Sequence, residues 1–166
     1  MLTPFDTLAA KPGSGPRHAV FSGDGKRIYL VQEIDGTVSV LKMENGKLSL
    51  LQETTVDYKP GTINRAADIH LSPDQKYLYV TNRGTANDIT CFSVAANSGK
   101  LTLVQQIPSG GDGPRNFAIT PDGKYVLVAH QFTDNIVFFK RNEKSGKLTD
   151  TGRRIEVGAP VCLVFY

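Results

Sequence analysis

Charged and polar side chains recur in this chain at fixed distances from a turn. Five residues before a Ser or Thr stand Arg17, Ala67 and Arg115, each followed by His18, Asp68 or Asn116. Nine residues after the turn aspartates Asp24, Asp74 and Asp122 stand Glu33, Arg83 and Gln131, preceded by Gln32, Asn82 and His130. The turn residues repeat almost unchanged, whereas these slots differ in charge from one repeat to the next. Such variation at a constant place suggests a site built asymmetrically on a symmetric scaffold. The plainer alternative, strand ends meeting water where any polar residue serves, covers each position singly and the set less well. Two guanidiniums and a carboxylate at one place would make an anion site, because a guanidinium forks onto carboxylate or phosphate through two N–H bonds. A glutamate beside them can orient or deprotonate water.

His18 follows Arg17 and can hydrogen-bond near such a site. His70 lies two residues beyond Asp68 and points to the same side of a strand, and a structural role is at least as good a reading for both. The three histidines fall in different repeats without HxH or HxxxH spacing, so no metal set and no cofactor is expected. Gly23–Gly25 and Gly110–Gly113 precede no helix and cradle no phosphate, and no GxSxG elbow is present.

The elements that position these residues follow from the repeat. Arg17–Glu33, Ala67–Arg83 and Arg115–Gln131 share one plan: a short apolar strand, a Ser/Thr-x-Asp turn, and a second alternating strand. The turn aspartates are 50 and 48 residues apart. Asp35-Gly36 and Asn45-Gly46 then predict hairpins into two more strands, and Gly46-Lys-Leu48, Gly99-Lys-Leu101 and Gly146-Lys-Leu148 mark the start of each fourth strand. Strands are expected over 18–21, 28–32, 38–43 and 47–52; over 68–71, 77–81, 89–94 and 100–106; and over 116–119, 125–129, 136–140 and 147–153. Four antiparallel strands per unit of about 40–50 residues is the signature of a β-propeller blade. The expected fold is all-β: a connecting segment over 1–15, blades over about 16–64, 65–112 and 113–159, and one strand of a further blade over 160–166. Three blades fall below the usual four to eight. The chain therefore reads as part of a larger propeller, closed by N-terminal blades or by a second copy.

Composition narrows the partners. The net charge of +3 comes from 19 basic and 16 acidic residues spread along 166, with no basic run, so nucleic acid is not expected. No apolar run reaches membrane-spanning length. Cys91 and Cys162 lie in expected strands and read as buried core thiols, which favours a reducing, cytoplasmic compartment with the periplasm left open.

Together, Gly15-Pro-Arg-His18 with Glu33, Ala67-Asp-Ile-His-Leu-Ser-Pro-Asp74 with Asn82-Arg83, and Gly113-Pro-Arg-Asn-Phe117 resemble the seven-bladed propeller lactonases, a family that includes a 6-phosphogluconolactonase and the fungal carboxymuconate lactonising enzyme. The resemblance implies a protein of about twice this length. It implies hydrolysis of a small anionic lactone, with Arg17 and Arg83 holding the anionic group and Glu33 as general base, and with a further histidine supplied by the N-terminal half. His18, Asp68, Asn82, Arg115, His130 and Gln131 are then expected to line the substrate. Cyclisation of a carboxymuconate and a non-catalytic binding propeller are the alternatives; Tyr58 is the one obvious aromatic candidate for the latter.

Overall fold

A computed structural model describes residues 6–58 and 61–165. Twelve strands make three four-stranded antiparallel meanders, each ordered as in the sequence. The first sheet holds β1 (Pro16–Phe21), β2 (Arg27–Gln32), β3 (Thr37–Glu44) and β4 (Lys47–Thr55). The second holds β5 (Asn64–Leu71), β6 (Tyr77–Gly84), β7 (Asp88–Val94) and β8 (Leu101–Pro108). The third holds β9 (Pro114–Ile119), β10 (Tyr125–His130), β11 (Asn135–Arg141) and β12 (Leu148–Glu156). The expected all-β propeller blades are present, with strands that extend a few residues beyond the expected ends.

The repeated turn closes by one mechanism in all three sheets. The Ser22 hydroxyl donates to Asp24 Oδ1 at 2.6 Å, the same oxygen accepts the Lys26 N–H, and Ser22 Oγ accepts the Arg27 N–H. Ser72 with Asp74, and Thr120 with Asp122, repeat that set. A side chain that satisfies backbone donors outside the ladder makes a tight, reproducible turn.

Packing explains why the blades come stacked. Strand β6 is buried on both faces: Leu78 and Val80 join Tyr29, Val31, Val38 and Val40 of the first sheet, while Tyr77 and Tyr79 join Phe117, Val126, Val128 and Phe139 of the third. The alternation of a strand thus divides its side chains between two inter-blade cores. Polar clamps fix the stagger. Gln52 Oε1 accepts the Leu101 N–H and its amide donates to Leu101 O, and Gln105 treats Leu148 in the same way. Tyr29 donates to Gly99 O and Tyr79 to Gly146 O. Arg141 is buried and forks onto both oxygens of Asp74 in the neighbouring blade.

Two segments differ from expectation. Residues 6–15 are docked rather than loosely connecting: the Asp6 carboxylate accepts the Leu48 N–H at 2.7 Å, as the Gln clamps do elsewhere, and Ser14 O accepts the Ile34 N–H. Residues 160–165 carry no strand, and Cys162 is exposed rather than buried. An edge segment becomes a strand only by pairing, and the described residues offer it no ladder partner. Tyr166 lies outside the described residues.

Candidate functional site at the inner rim

Strands β1, β5 and β9 lie at the inner edges, with β1 packed against β5 and β5 against β9. In every blade the inner strand carries a β-bulge at the same place. The register slips between Pro16 and Ala19, between Ala66 and Ile69, and between Pro114 and Asn116. An extra residue on one strand breaks strict alternation and re-aims side chains. It allows consecutive residues of β1 to reach the same neighbouring strand: Arg17 Nε donates to Ala67 O at 2.9 Å, and His18 Nδ1 meets Asp68 Oδ1 at 2.9 Å.

The expected charged trio is assembled. Glu33 lies between two guanidiniums, its Oε2 3.2 Å from Arg17 Nη1 and its Oε1 2.7 Å from Arg83 Nη2. Their side chains are 19%, 29% and 12% exposed for Arg17, Glu33 and Arg83, so the pairs are partly shielded yet reachable. Burial presses the Arg83 guanidinium below its ordinary value, and the charges of Arg17 and Arg115 add to that, while Glu33 pulls the other way. Arginine stays charged through such shifts. Arg115 meets no carboxylate among the described residues; its one side-chain contact there is Gln131 Oε1 at 3.5 Å. Arg17, Arg83, Arg115 and Glu33 therefore sum to a surplus of two positive charges.

Below this trio Asp68, 5% exposed, is the acceptor for five donors. Oδ1 takes His18 Nδ1 and the Ile69 N–H; Oδ2 takes His70 Nε2 at 3.0 Å, Asn116 Nδ2 at 2.6 Å and the Phe117 N–H at 3.1 Å. Burial alone would raise its pKa, but the bonds from His70, His18 and Phe117 outweigh it and hold the carboxyl below its ordinary value. His70, absent from the expected substrate-lining set, is thus tied to Asp68 and stands edge-on to Phe117. The signal was its two-residue spacing from Asp68 on one strand. Asn116 also accepts the Leu163 N–H, bringing the C-terminal segment to the inner strand.

Two expected substrate-lining residues point elsewhere. Asn82 and His130 are fully buried, one position before the rim residues, where alternation turns the side chain into the blade. Asn82 braces β5 by accepting the Arg65 N–H and donating to Asn64 Oδ1. The His130 ring sits beneath Gly111, where a Cβ would come within 2.6 Å of Cγ, and burial lowers its pKa against weaker opposing contributions from Asn135 and Ser109. Neither can touch a ligand at the rim. No group of three or more His, Cys, Asp or Glu placed to hold a metal occurs among the described residues. Cys91 is buried with its thiol pushed up to about 12, chiefly by desolvation, which suits a core residue. No helix of the described residues is long and apolar enough to cross a membrane.

Comparison with known proteins agrees with the propeller architecture. The family described as "Lactonase, 7-bladed beta-propeller" matches residues 1–165. A 6-phosphogluconolactonase of Formosa agariphila is 43% identical over 162 residues, which is 97% of this chain and 46% of that protein. A 6-phosphogluconolactonase of Serratia proteamaculans is 38% identical, over 92% of this chain and 47% of that protein. The structure of a periplasmic gluconolactonase of Pseudomonas aeruginosa superposes with a TM-score of 0.88 at 39% identity, over 92% of this chain and 43% of that one. The chain thus spans under half the length of these relatives.

Proposed function

The chain belongs to the seven-bladed β-propeller lactonases, and from that premise we propose that it supplies three blades and the anion-binding rim of an enzyme that hydrolyses an anionic sugar lactone. The observation that carries the reading is the surplus of positive charge at the inner rim, where Arg17 and Arg83 share Glu33 and Arg115 stands beside them. Partly desolvated guanidiniums bind phosphate or carboxylate through charge-assisted hydrogen bonds of about 1.5–3 kcal/mol each. In this reading a guanidinium also stabilises the oxyanion that forms on the lactone carbonyl. The relatives named above as 6-phosphogluconolactonases and as a gluconolactonase support a sugar lactone rather than a muconate.

Glu33 fits a different part from the general base expected of it. Each of its oxygens accepts from one guanidinium, which fixes the spread of the two arginines. The remaining blades come from the rest of a longer chain. The first sheet presents Phe21 and Leu50 to solvent, and beyond the third sheet Tyr125 and Phe165 are exposed, apolar area that a neighbouring blade would cover.

The test is lactone hydrolysis by the complete protein. Arg17→Met and Arg83→Met should each lower kcat/KM by about 10²-fold or more, and Glu33→Gln should lower it by about 10-fold, mostly through KM as the guanidiniums spread apart. Normal turnover in all three variants would refute the rim as the site.

A further inference from the structure

We propose that His18, held by Asp68, is the proton-transfer residue of the hydrolysis; this deepens the lactonase reading and rests on it. Three observations converge on the ring. Its Nδ1 is 2.9 Å from Asp68 Oδ1, and an ionised carboxylate, which also accepts from the Ile69 and Phe117 N–H groups and Asn116 Nδ2, has no hydrogen to give, so the hydrogen of that bond belongs to His18. Nδ1 is therefore protonated and Nε2 carries the lone pair. The side chain is 45% exposed, and Nε2 has no partner among the described residues. The bulge in β1 places it next to Arg17, with the two side chains crossing to consecutive residues of β5, Ala67 and Asp68. A carboxylate that fixes the tautomer and orientation of an imidazole beside an anion-stabilising group is the arrangement that general-base catalysis requires.

His70 bonds the same carboxylate, but through Nε2, and it lies two residues nearer the turn, against Phe117. Its side chain is 41% exposed, but it follows no arginine, whereas His18 follows Arg17. Glu33 gives an oxygen to each arginine, whereas no described residue bonds His18 Nε2.

The step balances as follows. His18 Nε2 takes a proton from water as the water oxygen bonds to the lactone carbonyl carbon, and the carbonyl electron pair moves onto its oxygen, facing a guanidinium. The tetrahedral adduct then re-forms its C=O bond and breaks the ring C–O bond. The protonated His18 returns its proton to the departing ring oxygen, leaving a hydroxyl and a carboxylic acid that ionises. One water is consumed and the imidazole is regenerated.

The experiment uses the complete protein with a six-carbon aldonolactone phosphate and has two readouts. His18→Gln should lower kcat at least ~10²-fold with KM changed no more than about threefold, and millimolar imidazole should restore part of the turnover of His18→Ala. Asp68→Asn should lower kcat less than His18→Gln does. Independently of turnover, ¹⁵N shifts of the His18 ring should report the Nδ1–H tautomer in the wild type and a mixed population in Asp68→Asn. If the wild type is active and His18→Gln keeps kcat within about threefold, or if the ring is the Nε2–H tautomer, the role of His18 is overturned while the lactonase reading stands. If the wild type hydrolyses no lactone, that reading fails and this role with it.

Discussion

Two carboxylates, Glu33 at the inner rim and Asp68 below it, face different donors and do different work. Glu33 meets two permanent charges and is fixed as a spacer between them; Asp68 meets two histidines, an asparagine and two backbone amides. Because Asp68 is held below its ordinary value, its contribution to stability is complete above the unfolded carboxylate range, near pH 4, and is lost as pH falls through its folded value. Asp68→Asn should therefore cost on the order of 2 kcal/mol at neutral pH, since buried donors lose their acceptor. The difference between wild type and variant, read from denaturant midpoints, should shrink between pH 5 and pH 2; a difference independent of pH would contradict the assignment. At this scale the sequence displayed the rim charges plainly, because they interrupt a repeat. It did not display that both Glu33 oxygens would be occupied, since that depends on where Arg17 lands after a bulge.

Elements place these side chains through two devices, one legible and one hidden. The Ser/Thr-x-Asp turn could be read directly, because its side-chain bonds are local and recur with the residues that make them. The bulges could not: Arg17-His18, Ala67-Asp68 and Arg115 show no common local signal, and the extra residue is defined only against the partner strand. The same limit hid the burial of Asn82 and His130, since a strand end that meets water and one that turns inward look alike in one dimension. The exposed Cys162 likewise shows that an apolar segment is a strand only when something pairs with it. Gly84 ties element to site. It follows Arg83 with φ of +79°, and a Cβ there would run into the Ile63 carbonyl. Gly84→Ala should destabilise by about 1–3 kcal/mol and raise KM by displacing Arg83; unchanged melting temperature and KM would show that the β5–β6 end is not what holds that guanidinium.

Across this chain the middle sheet is half of two interfaces, so fold and site are shared properties of neighbouring blades. The two cores lie between sheets, and β6 belongs to both. Four contacts of the site cross a blade boundary: Arg17 to Ala67, Glu33 to Arg83, His18 to Asp68, Asn116 to Asp68. The 48–50-residue period made that architecture visible from the sequence, whereas the two outward faces and the docked Asp6 segment emerge only from packing. The central claim is that this shared rim selects an anionic lactone, and one ratio tests it most directly: kcat/KM for a phosphorylated sugar lactone over its unphosphorylated counterpart, in the complete protein and in Arg83→Met. A charge-selective rim gives a preference of about 10²-fold for the phosphorylated lactone, from about 2–3 kcal/mol of charge-assisted binding, and a ratio near unity in the variant. Equal turnover of both lactones by the wild type, or a preference that survives loss of Arg83, would contradict it.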